Sequence, residues 1–143
     1  MLGMLGITMV AAIAVPIVIL DAGHGGREPG AVHQVTEKSL NLDLCFAVER
    51  HLHQFGVDTA LTRQDDRTIS LGDRASYARL FPSQRTIFVS LHYNAAPNAV
   101  ANGIETFYAP SRASKELAVS VQHQLIGATG ATDRRCKKGS QLA

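Results

Sequence analysis

The chain has 143 residues, 45% of them hydrophobic and 18% charged, which suits one globular domain with a buried core. Fourteen basic against twelve acidic residues leave a net charge of +2, too little for the electrostatic surface that nucleic-acid binding needs. Its one basic cluster, Arg134, Arg135, Lys137 and Lys138, reads as a solvated tail, and no nucleic-acid partner is expected.

Met1 to Leu20 carries no charged side chain, about the length of a membrane helix, but Pro16 divides it. Residues 1–14 resemble the apolar part of an export signal, with Ala12-Ile13-Ala14 shaped like a cleavage site, although a positive start is lacking. The expectation is an extracytoplasmic chain (periplasm, cell wall or secreted) without a stable membrane span, whose domain occupies residues 15–143.

Pro16 to Leu20 is a continuous, β-branched apolar run ending in Asp21, as expected of a strand buried on both faces of a parallel sheet. Gly23 to Gly30 reads as a loop. From Glu37, the spacing of Leu40, Leu44, Val48, Leu52 and Phe55 predicts a helix stopped by Gly56. Cys45 lies in this helix and reads as a buried thiol; a bridge to Cys136, the only other cysteine, is the open alternative. Val57 to Thr62 predicts a second strand. Ser70 with Asp73 predicts a capped helix through Ala75, Ala78 and Leu80, closed by Pro82. Thr86 to Leu91 and Gly103 to Tyr108 predict two further strands, with an Ala/Pro/Asn loop between them. Ser111 would cap a third helix with Leu117, Val121 and Leu125 on its inner face, and beyond Gly130 the chain reads as polar and irregular. Alternation of strands and helices predicts an α/β fold: a mainly parallel twisted sheet flanked by helices, with no repeat.

Sites in such folds gather at the carboxyl ends of strands, and two strands here end in histidine-bearing loops. Asp21-Ala-Gly-His24-Gly-Gly26 follows the first strand. It fits neither phosphate-loop glycine spacing, which leaves glycines that bend the backbone around His24. His92 follows the third strand. Glu37, in the first turn of a helix, has a bland role there in complementing the helix dipole. Joined to His24 and His92, it completes a two-histidine, one-carboxylate set that would leave a zinc ion's fourth position open. His33, His51, His53 and His123 need only surface or core roles.

Ile17-Val-Ile-Leu-Asp-Ala-Gly-His-Gly-Gly26, Pro29-Gly-Ala31, Glu37-Lys38 and Asn41-Leu42 resemble the opening of the zinc-dependent amidase 3 family. Leu61-Thr-Arg63 with Asp66 and Arg74, Ser90-Leu-His-Tyr-Asn-Ala95, and Gly103 to Tyr108 follow in that family's order. The resemblance implies one zinc ion on His24, Glu37 and His92. It implies hydrolysis of the amide joining N-acetylmuramic acid to L-alanine, with peptidoglycan as the partner. Because zinc-bound imidazoles commonly donate their other N–H to a carboxylate, Asp21 is read either as such a support or as a turn residue.

The family's general-base glutamate belongs to a late segment like valine-glutamate-x-glycine-phenylalanine, which is not found here. That glutamate is therefore expected beyond Ala143, with the domain lacking the family's last strand and helix. Glu28, Glu49, Glu105 and Glu116 have no motif support for the role. Between Tyr108 and Asp133 there is room for little beyond one helix, so no inhibitory insertion is expected. An inactive zinc- and wall-binding fragment is the alternative reading, and oligomeric state is not legible.

Overall fold

The computed structural model describes residues 15–93 and 102–139. The export-signal segment, Asn94-Ala95 of the histidine block and Ala143 lie outside the described residues. The chain divides into two compact units, Met1–Tyr93 and Asn94–Ala143.

In the first unit, β1 (Ile17–Ala22), β2 (Thr59–Leu61) and β3 (Thr86–Leu91) form a parallel sheet in the order β2-β1-β3. Helices α1 (Glu37–Gln54) and α2 (Leu71–Ala78) fill the connections. The central strand is buried from Val18 to Ala22, as its unbroken apolar run predicts. Val18, Leu20 and Ala22 alternate onto one face and form a core with Cys45 and Leu61, joined by Leu42, Phe46, Val48 and Leu52 of α1. Burying side chains the size of Leu20 and Ile19 contributes about 1.5–3 kcal/mol each. The period of two turns Asp21 to the opposite face from that core.

Helix α1 buries Glu37, Asn41 and Cys45, a row at four-residue spacing. Cys45 is a buried free thiol, and Cys136 is free as well. Phe55 is not on the inner face, as its spacing suggests. It is the C-cap residue, beyond the last helical turn, and is exposed. Helix α2 is capped as expected, with Ser70 Oγ accepting from the Asp73 amide at 3.1 Å. It ends at Ala78, before Leu80.

In the second unit, β4 (Ile104–Tyr108), α3 (Arg112–Thr129) and β5 (Asp133–Lys138) form a parallel βαβ unit. Two expectations are corrected here. The segment read as polar and irregular is a strand paired in parallel with β4: Asp133 and Cys136 meet Gln122 and Ala118 O of α3, Arg134 and Lys137 pair with Glu105, and Arg135 at φ +71° interrupts the alternation. On α3 the buried residues are Ala118 and Gln122, whereas Leu117, Val121 and Leu125 are exposed. Gln122 Nε2 donates to Ile104 O at 2.8 Å and Asp133 Oδ1 at 2.6 Å, and its Oε1 accepts from Thr106 Oγ1 at 2.6 Å. This polar tie to both strands sets the helix rotation and leaves the apolar row to one side.

Candidate metal centre

His24, Glu37 and His92 converge. Each offers one ligand atom, and these atoms lie within 4.8 Å of one another. Glu37 Oε1 is 3.3 Å from His24 Nε2 and 3.0 Å from His92 Nδ1. The imidazoles meet edge to face, centroids 4.9 Å apart. His33, His51, His53 and His123 stand outside this cluster and are exposed.

Local backbone explains the convergence. His24 has φ +60°, a left-handed conformation that a side-chain-bearing residue rarely adopts. It turns the chain sharply just past β1. Gly23 carries no Cβ where one would overlap the His92 ring, so the second histidine can lie directly on the loop. Glu37 opens α1, and its Oε2 accepts the Ala31 amide at 2.9 Å while its own amide donates to Ala31 O at 2.8 Å. Burial pushes the Glu37 carboxyl up, but the Ala31 amide, the His92 hydrogen bond and the two imidazoles outweigh it and hold the group below its ordinary value. The carboxylate is thus kept ionised, as a metal ligand must be.

The donor set suits a zinc ion in chemistry and in approximate spacing. Bonds of about 2.0–2.1 Å at tetrahedral angles put ligand atoms about 3.3 Å apart; the two separations at Glu37 Oε1 are close to this, and all three donors lie within 4.8 Å, so the histidines would draw together around an ion. Two imidazole nitrogens beside one carboxylate also suit zinc, whereas calcium and magnesium take all-oxygen sets.

The loop is fastened by side chains with no evident task in the sequence. Arg63, 2% exposed, donates to the carbonyls of Ala22, Gly23, Lys38 and Asp65. Arg74 donates from Nη2 to His24 O at 2.7 Å and from Nη1 to Ala22 O at 2.9 Å. Asp21 does not support an imidazole. Its carboxylate accepts from Arg74 Nη1, from Thr62 Oγ1 and from Ser90 Oγ, so it ties together the ends of all three strands. Asn41, at the next inward turn of α1, donates to Gly23 O at 3.0 Å.

Asp21, His24, Glu28, Arg74, Ser90 and His92 line a cleft of about 320 Å³ beside the donors. Glu28, which the motifs did not single out, is the glutamate on its wall. Reciprocal backbone bonds with Gly25 hold it there. Of the other glutamates set aside, Glu49 accepts from Thr59, Glu105 pairs with Lys137 and Arg134, and Glu116 pairs with Arg112.

Residues 18–142 match the amidase 3 family, described as N-acetylmuramoyl-L-alanine amidase. The chain belongs to that family. It is 34% identical over 124 residues to the N-acetylmuramoyl-L-alanine amidase LytC of Bacillus subtilis, a match covering 84% of this chain and 25% of that protein. It superimposes on the crystal structure of an N-acetylmuramoyl-L-alanine amidase from Clostridium difficile 630 with a TM-score of 0.81 at 34% identity, covering 90% of this chain and 72% of the other. The catalytic domain of CwlV, the amidase from Bacillus (Paenibacillus) polymyxa, gives 0.78 at 36% identity, with the same coverages. Against the curated relatives the chain spans 25% of LytC and 59% of the B. subtilis protein YqiI. The α/β class with a parallel sheet, expected from the alternating elements, is the architecture these amidase domains share with it.

Proposed function

We propose that this chain carries out zinc-dependent hydrolysis of the amide between N-acetylmuramic acid and L-alanine in bacterial peptidoglycan. The observation that carries the reading is the meeting of His24, Glu37 and His92, two of which line a cleft, in a chain of the amidase 3 family.

In this reading His24, Glu37 and His92 would hold one zinc ion, three protein ligands being the usual number where a catalytic zinc keeps a place for water. Held there, such an ion would supply Lewis-acid chemistry, which in zinc hydrolases lowers the pKa of bound water to about 7 and polarises a carbonyl. Glu37, kept ionised, contributes the negative charge of the ligand set. Gly23 and Gly30 leave room for the ligand side chains, and Arg63 and Arg74 fix the loop that presents His24. Glu28 lines the same cleft. A peptidoglycan substrate places the protein outside the cytoplasm. Among the described residues no helix is long and apolar enough to cross a membrane.

The test is release of free stem peptide from defined muropeptides by the zinc-loaded chain, with chelated and His92→Ala controls. Release that needs both the metal and His92 is expected. Cleavage that persists in the chelated or His92→Ala sample would overturn the assignment, as would a folded, zinc-loaded chain that releases nothing.

A further inference from the structure

The Arg74 side chain is 6% exposed and stands apart from the donor cluster; its Nε donates to Ile69 O, but both terminal nitrogens end on the chain that carries the cluster. Nη2 holds His24 O at 2.7 Å, and Nη1 holds Ala22 O at 2.9 Å and Asp21 Oδ1 at 2.5 Å. The other Asp21 oxygen accepts from Ser90 Oγ at 2.6 Å. Ser90 lies opposite Asp21 in the sheet and two residues before His92. One buried guanidinium is therefore bonded directly to the backbone of the first histidine and, through Asp21, to the strand that delivers the second.

We infer that Arg74 is a positioning residue for the metal centre: it sets the distance between His24 and His92 without touching the metal. Two physical facts carry this. A histidine at φ +60° needs its surroundings to hold it there, and the bond from Arg74 to His24 O is an anchor at that residue itself. An arginine's planar fork can serve several oxygens at once, whereas a lysine ammonium is one compact charge on a flexible stem. Arg74→Lys therefore keeps the charge beside Asp21 and loses the simultaneous hold on His24. Arg63 is no substitute, since its carbonyl partners do not include His24.

The metal readout rests on the zinc reading above; a second readout, on metal-free protein, does not. Zinc affinity of the full chain would be measured by competition with a chromophoric chelator. Exchange of the Gly25 amide, bonded to Glu28 O in the turn after His24, would be followed without metal. Arg74→Lys is expected to weaken zinc binding about 10- to 100-fold, as loss of ligand-orienting hydrogen bonds does elsewhere, and to speed Gly25 exchange. Ser90→Ala removes only the limb toward β3 and is expected to weaken binding less. Leu61→Ala, a core truncation, should lower the melting temperature while zinc affinity of the folded protein stays at the wild-type value. Wild-type affinity and unchanged Gly25 exchange in Arg74→Lys would overturn the inference, as would an equal affinity loss in Leu61→Ala. Should the wild-type chain not bind zinc, the functional reading falls, and Gly25 exchange alone decides the role of Arg74.

Discussion

Gly30 presses its bare Cα against Glu37: a Cβ built there would stand 2.7 Å from Glu37 Oε2 and 2.8 Å from Glu37 Cβ. It would also stand 2.6 Å from His24 Cδ2, and Gly30 itself has φ +66°. Gly30→Ala therefore meets backbone strain and collision together, and is expected to destabilise the fold by about 1–3 kcal/mol. Zinc affinity should fall with it because two ligands are displaced. Denaturant titration beside zinc titration checks both, and a Gly30→Ala protein with wild-type values in each would refute this account of the loop.

Zinc should behave as a stabilising ligand. At a free concentration a hundredfold above its Kd it contributes about 2.7 kcal/mol, about 10 °C in melting temperature for a domain of this size. Glu37→Gln preserves shape but removes the ligand charge, and is expected to abolish most of that shift. Thermal melts with and without zinc make the comparison. An equal shift in Glu37→Gln would remove this residue from the ligand set.

The two thiols should report separately. Burial, aided by the nearby Asp21 carboxylate, pushes the Cys45 thiol up to about 12, so at neutral pH it is both shielded and protonated. Cys136 is raised too, mainly by desolvation, but is only partly buried. Ellman's reagent is expected to find one thiol per native chain and two after unfolding, with no reductant. A native count of zero that rises only on reduction would instead show a disulfide.

Glu105 gives the second unit an acid limb. The Lys137 hydrogen bond, with Arg134 nearby, holds its carboxyl below the ordinary 4.5. A lowered folded-state pKa adds stability that is fully present above the unfolded value and is lost as pH falls through the folded one. Glu105→Gln should thus weaken the β4–β5 pairing at pH 7 by about 0.2–1 kcal/mol, the range for partly exposed ion pairs, and have no effect once both forms are protonated. Exchange of the Gly139 amide, bonded to Tyr108 O, is the measurement. A difference that survives at low pH would exclude the charge as its source.

What could be read from the sequence was what repeats or what costs most to misplace. An unbroken β-branched run announced β1, and His24, Glu37 and His92 stood out because each lies at an element's end. The Asp133–Lys138 strand escaped because it has no apolar stripe: Asp133 and Cys136 are the residues that meet α3, and an irregularity at Arg135 breaks the period of two between them. The α3 face was misread because Gln122, a polar residue, fixes the helix rotation through hydrogen bonds that periodicity cannot register. Arg63 and Arg74 could be seen as parts of motif blocks. Their work as anchors was hidden, since all but one of their partners, the Asp21 carboxylate, are backbone carbonyls, which have no signature in sequence.

The strand order has one more consequence. From central β1 the chain crosses to β2 on one side and later passes back to β3 on the other, so the direction of winding diverges at β1. That divergence is a topological switch point, where open parallel sheets leave a natural crevice. His24 and His92 come from the two strands that border it. The location of the centre is thus inherited from the winding of the sheet, and loop sequence has only to furnish the donors. Rewiring which strand follows which would close the crevice even with every ligand retained.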